Sequence, residues 1–244
     1  MKLTDYDKKS SLGFSWTPPE KFFTKKTDDI RKAIFAFKRG IPVYAARTLN
    51  TFERVGASDE QAKVIIEYGY GVDLPLSHIR TIDNFGRACD YLFNKLADGD
   101  WLFDKSELCG IHAITARNEV TRPGEFRSMP VSIEGSVYTP PAPEHIARVY
   151  ENGIAALRQV EDISERAMAV FLFLSRAQLF ENANKRTASL VMNGILMSNG
   201  YYPINIDTPP LDFLHGMADF YETADGTKMM SMLNDLAKRD AGFS

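Results

Sequence analysis

The sequence predicts a mainly helical fold interrupted once by a short β-hairpin. Three observations predict it. Apolar residues recur at spacings of three and four along most of the chain, capping residues punctuate those runs, and one proline-bounded stretch alternates with a period of two. At 244 residues the chain is long enough for a large domain with its own core. A hydrophobic content of 44%, a charged content of 25% and a net charge of -3 describe an ordinary globular protein. There is no basic excess to draw nucleic acid or an anionic membrane surface, so partners must be recognised locally.

The elements follow in order. Residues 27–39, TDDIRKAIFAFKR, set Ile30, Ala33, Ile34 and Phe37 on one stripe, with Thr27 as cap and Gly40 and Pro42 as terminators. A second helix is expected over residues 43–54. In GASDEQAKVIIEYG, Ser58 or Asp59 caps a short helix, Gln61 completes a capping box with Ser58, and Gly69 stops it. SHIRTIDNFGRACDYLFNKLADG is a longer amphipathic helix, and KSELCGIHAITARNE repeats the pattern. EDISERAMAVFLFLSRA opens with Asp162 and Glu165 as a capping pair and is apolar on every side from Ala167 to Leu174, which marks a central, buried helix. KRTASLVMNGILMSNG is a second such helix, ending at Asn199-Gly200.

FRSMPVSIEGSVYTPPAPEHI breaks the helical rhythm. Val131, Ile133, Val137 and Tyr138 around Glu134-Gly135 read as a short hairpin, and Pro140, Pro141 and Pro143 forbid its continuation. On pattern alone it reads as a plain surface excursion.

RAQLFENANKRTASL, residues 176–190, places a polar loop between the two most apolar helices. The free amides of the second helix's first turn point toward whatever fills that loop. Small Ala183, the Asn184 carboxamide and cationic Lys185 and Arg186 at the positive end of a helix dipole have the chemistry of an anion nest. Arg186 suits phosphate oxygens in bidentate fashion and Lys185 supplies a point charge. The bland alternative, a capped helix start carrying two solvated cations, stays open on the residues alone.

The same stretch resembles the signature of the Fic/Doc (fido) family, His-x-Phe-x-(Asp/Glu)-(Gly/Ala)-Asn-(Gly/Lys)-Arg-x-x-Arg. Phe180, Ala183, Asn184, Lys185 and Arg186 match it directly. RPGEFRSMPVSIEGSVYTPPAPEHI is similar to the family's flap, and FLHGMADFYETADGTKMMSML to its closing helices. The resemblance implies a helical fido domain over residues 77–244, preceded by a helical extension over 1–76. It implies ATP as the nucleotide, held at Phe180, Ala183, Asn184, Lys185 and Arg186. It also implies transfer of AMP to a protein hydroxyl or, as in the Doc branch, of phosphate, with the target docked on the flap at Val131, Ile133, Val137 and Tyr138.

Three positions depart from the signature. Gln178 replaces the histidine that takes the proton of the attacking hydroxyl, Asn182 replaces the acidic magnesium ligand, and Ser189 replaces the second arginine. Glutamine cannot accept that proton, and a carboxamide offers magnesium little charge, so impaired transfer and doubtful metal binding are expected. The alternative is a non-catalytic protein that binds a nucleotide or a partner. Adjacent Glu181 is a weak candidate to replace Asn182.

Many relatives also resemble one another in an inhibitory (Ser/Thr)-x-x-x-Glu-(Gly/Asn) helix. TLNTFERVGAS places Glu53 where its glutamate belongs, although Leu49 occupies the hydroxyl position and Arg54 follows. Because the usual partner is Ser189 here, no full-strength ion pair is expected for Glu53. His112 reads as a core histidine, and His78, His145 and His215 as turn or capping residues. An antitoxin or other regulatory protein is a candidate partner. Cys89 and Cys109 read as buried thiols of a reducing compartment. MKLTDYDKKSS has no apolar signal core, and no apolar run approaches the ~20 residues that span a bilayer, so the cytoplasm is the expected location.

Overall fold

The computed structural model describes residues 3–69 and 71–240. The outermost residues of the two expected units, 1–2 and 241–244, lie outside the described residues. Among the described residues ten α-helices run in order: α1 (Asp5–Leu12), α2 (Ile30–Glu53), α3 (Asp59–Tyr68), α4 (Leu76–Ala97), α5 (Lys105–Thr115), α6 (Ile146–Leu157), α7 (Ile163–Ala177), α8 (Asn184–Ser198), α9 (Pro210–Thr223) and α10 (Thr227–Asp240). Among the described residues, strand-like pairing is confined to two isolated bridges, Ser15 with Asp225 and Lys26 with Tyr201.

The expected caps are in place. The Ser58 and Gln61 side chains exchange bonds with each other's backbone amides, Gly69 ends α3 in the left-handed region, and Asp162 accepts the Glu165 N–H at the start of α7. α2 differs from expectation. It runs unbroken from Ile30 to Glu53 with Pro42 inside it, and Asp29 rather than Thr27 caps it. Proline costs one backbone bond and crowds the preceding turn. Burial of Phe37, Ile41, Tyr44, Leu49 and Phe52 on either side of Pro42 offsets that cost.

The pair α7 and α8 forms the centre. Both are buried along almost their whole length, and α2, α4, α5, α6 and α10 pack around them. One continuous core crosses the expected unit boundary at 76/77. Phe14 and Trp16 sit inside it, Phe14 meets Phe220 edge-on at 5.0 Å, and Trp16 donates to Glu165 at the head of α7. Among the described residues no helix is long and apolar enough to cross a membrane.

The flap does not form the hairpin expected of it. Residues 133–136 make a tight turn closed by Ser136 N–H to the Ile133 carbonyl, with Gly135 at φ 76°, but no ladder joins the arms. The donors of the second arm go elsewhere: Val137 N–H points to the Glu222 carboxylate at 3.4 Å and Tyr138 N–H to the Ser136 hydroxyl at 3.2 Å. Pro130, just before the first arm, brings no donor of its own.

Gly153 of α6 lies against the Phe173 ring of α7, where any Cβ would overlap the ring. Gly153→Ala must push α6 off the central pair, so chemical denaturation of this variant is expected to show a loss of about 1–3 kcal/mol from overpacking.

Candidate functional site

α7 ends before Gln178 and α8 begins after Ala183, and both junction residues are in the left-handed region, at φ 46° and φ 57°. The six-residue loop between them is fixed by carboxamides. The Asn184 side chain accepts the Phe180 N–H and donates to the Phe180 carbonyl, each at 3.0 Å, and donates also to Gln178 Oε1 at 3.0 Å. Gln178 Nε2 in turn donates to the Ser175 carbonyl at 2.7 Å. Both ends of the Gln178 amide are therefore engaged in closing the loop. The Asn182 side chain accepts the Ala183 N–H at 2.7 Å, which leaves the first-turn amides at 184–186 to face the loop without intrahelical acceptors.

Beneath the loop His112 stacks flat on Phe180, with ring centroids 3.7 Å apart and planes at 6°. Gly124 N–H donates to Nδ1 at 2.9 Å, so the proton sits on Nε2, which donates to the Asn182 carbonyl at 3.2 Å. Burial pushes His112 down to about 4, against the opposing pull of the Asn182 carbonyl. His112 and Phe180 are thus supports under the loop. The expected nucleotide contact at Phe180 has its ring buried on the side of His112.

Arg127, which sequence reading missed, ties the flap to the loop. Its backbone N–H donates to the Leu179 carbonyl, and its guanidinium to the carbonyls of Gln178, Met129 and Pro141. Glu119 was missed as well. It holds Arg186 by two bonds, at 3.1 and 2.7 Å, while Arg186 Nε donates to Glu53 at 3.1 Å and Nη1 to the Thr115 carbonyl at 3.3 Å. Arg186 is 1% exposed. Its guanidinium is committed to the chain's own carboxylates. Glu53, for which no full-strength pair was expected, pairs with this first signature arginine in place of the missing second one. Ser189, at the second arginine's position, is buried and donates to the Arg186 carbonyl.

Above the loop lies a cavity of about 650 Å³. Its walls are Glu53 and Arg54 at the end of α2, the flap turn 132–135, the loop from Gln178 to Lys185, and one face of α9 with Leu214, Met217 and Tyr221. Ala183, Asn184 and Lys185 line it, and Lys185 has its ammonium pushed below the usual range by desolvation, with Glu53 opposing and Arg186 adding to the shift. His215 lies within α9 on the cavity wall, not in a turn. His78 holds the Val55 carbonyl, and His145 stands immediately before α6. Ile133 lines the cavity, Val131 and Tyr138 are half-buried, and Val137 is 87% exposed.

The donor set does not suit a divalent cation. Asn182 spends its oxygen on the Ala183 amide, and Glu181 accepts the Thr121 N–H at 3.1 Å. Among the described residues no three acidic, histidine or cysteine side chains converge as a metal site. Cys89 and Cys109 are free, the first buried and the second half-buried.

The Fic/DOC family model matches residues 102–196, which include the flap, α7, the loop and most of α8. Over that stretch the chain is similar to the Fic/DOC family. No curated protein matches it. Among solved structures it is similar to Fic-1 (aa134 - 508) from C. elegans, at 18% identity and a TM-score of 0.65 over 88% of this chain, and it spans 64% of that chain's length. It is similar also to a Fic family protein from Desulfovibrio desulfuricans G20, at 16% identity and TM-score 0.66 over 93% of this chain and 77% of the other. A third similar structure is IbpAFic2 covalently tethered to Cdc42, at 16% identity and TM-score 0.55 over 88% of this chain and 66% of the other. At such identities the likeness is one of fold.

His112 sets a pH dependence of stability. Its folded pKa lies below the unfolded 6.5, so the stability it contributes is fully present above pH 6.5 and is lost as pH falls toward 4. Urea titrations are expected to show about 2 kcal/mol less stability at pH 5 than at pH 7 from this group, a difference that shrinks in His112→Asn.

Proposed function

We propose that this Fic-fold protein holds the phosphates of a nucleotide, ATP by family, at the start of α8, and transfers AMP or phosphate to protein hydroxyls feebly or not at all. One observation supports this reading: the loop leads into the free first-turn amides of α8 while the Gln178 amide is engaged at both ends in closing it. A carboxamide so bound neither takes a proton nor turns toward a nucleophile. The cavity volume falls within the range of small-molecule sites, and Lys185 with the amides at 184–186 would meet an anion bound there.

Arg186 is not free to join them while Glu53 and Glu119 hold it. The cavity therefore carries an acidic wall at Glu53, which repels phosphate and occupies an arginine at the same time. Since Glu53 belongs to the same chain, this restraint requires no regulatory partner. For a target protein the flap offers backbone that is not paired into a ladder and the exposed Val137, which suits docking of an extended segment by main-chain bonds.

The test is incubation with ATP labelled at the α or the γ position. The unmodified protein is expected to transfer little of either label. Gln178→His combined with Asn182→Asp is expected to transfer far more than the two single changes would by multiplication, because base and metal ligand act on one transition state. General base catalysis alone is worth ~10²- to 10⁴-fold. Vigorous transfer by the unmodified protein that survives Gln178→Ala would rule the reading out.

A further inference from the structure

Three arginines are buried near the cavity, and two of them are satisfied by the protein. Arg127 spends its N–H groups on three carbonyls and Arg186 on two carboxylates and a carbonyl. Arg176, on the last turn of α7, is 7% exposed, and among the described residues its Nε and Nη1 have no hydrogen-bond partner. The Tyr138 ring covers it at 3.8 Å, with Phe220 at 5.9 Å. Tyr221, stacked on Tyr138 at 6.1 Å, has a buried hydroxyl that is also without a partner. Among the described residues no carboxylate pairs with Arg176. Tyr138 and Tyr221 beside it are neutral phenols whose titration burial pushes upward, and Glu222, the acid at the flap, is directed to Ser136 and Val137.

A buried guanidinium stays charged, and leaving its donors unmet is costly, so the cluster is built to receive an acceptor. Tyr138 covers one face of the guanidinium, which leaves the in-plane edges for a ligand. A planar carboxylate accepts N–H bonds in that plane. A carboxylate brings one negative charge against the negative end of the α7 dipole where a phosphate brings up to two, so the carboxylate is opposed less. Tyr221 supplies an O–H donor and also lines the cavity, which gives the route of entry. The bonds from Glu222 to the second flap arm, at 3.4 and 3.5 Å, are long.

We infer that Arg176 and Tyr221 form a carboxylate-binding subsite beneath the flap, entered from the cavity. The site stands apart from the nucleotide reading of the 178–186 loop and goes beyond it.

Thermal unfolding of the full chain in sodium acetate, sodium phosphate and sodium chloride at matched ionic strength tests the site. Acetate at about ten times its Kd is expected to raise the Tm of the unmodified protein by about 3–6 °C over chloride, saturably. Arg176→Met is expected to lose that rise and Tyr221→Phe to reduce it. The loop at 183–186 is intact in both variants, so an acetate response that survives Arg176→Met belongs to the loop and overturns the subsite. Stabilisation by chloride or phosphate equal to that by acetate overturns it too. Should Arg176→Met not fold, Tyr221→Phe decides, and a full acetate response in that variant counts against the subsite.

Discussion

The Arg186 guanidinium is the joint on which the site depends. It is almost wholly buried, and it stays so because Glu119 and Glu53 surround it and the Thr115 carbonyl takes another N–H. Burying a charge without partners costs several kcal/mol, and breaking such a pair costs about 3–5 kcal/mol, so the three side chains must be placed together or not at all. That requirement fixes the end of α2 against the start of α8 and the segment after α5. The end of α2 thereby becomes a wall of the cavity.

The loop above this joint is shaped by neutral groups. Asn184 replaces the missing backbone partners of Phe180, Gln178 closes the loop from the other side, and His112 supports it from below as a neutral ring with a defined tautomer. Carboxamides are well suited to this, since each offers a donor and an acceptor on one short arm. The same property unfits them for proton transfer and for holding a divalent cation. The loop between α7 and α8 is thus held by residues whose chemistry is structural.

Much of the helical scaffold was legible in the sequence because its signals are local. Ser58, Gln61 and Gly69 delimit α3, Asp162 starts α7, and the apolar run from Ala167 marks the centre. Two local rules gave way to tertiary packing: Pro42 lies inside α2, and the flap directs its donors to Glu222 and Ser136 instead of across to its own other arm. The long-range contacts of the site had no local sign. Glu119 lies 67 residues from Arg186 and Glu53 lies 133 residues away, so the arginine looked free for a ligand when it is committed to the fold. Arg127 and Arg176 lie among ordinary polar and helical neighbours, and burial alone distinguishes them.

On the proposed nucleotide reading, Glu53 weakens the cavity's hold on phosphate by occupying Arg186 and presenting negative charge beside Lys185. Calorimetric titration of ATP into the unmodified protein and into Glu53→Ala tests it most directly. The variant is expected to bind roughly tenfold more tightly, the worth of about one charged hydrogen bond. Equal or weaker binding by a folded Glu53→Ala protein would contradict the account.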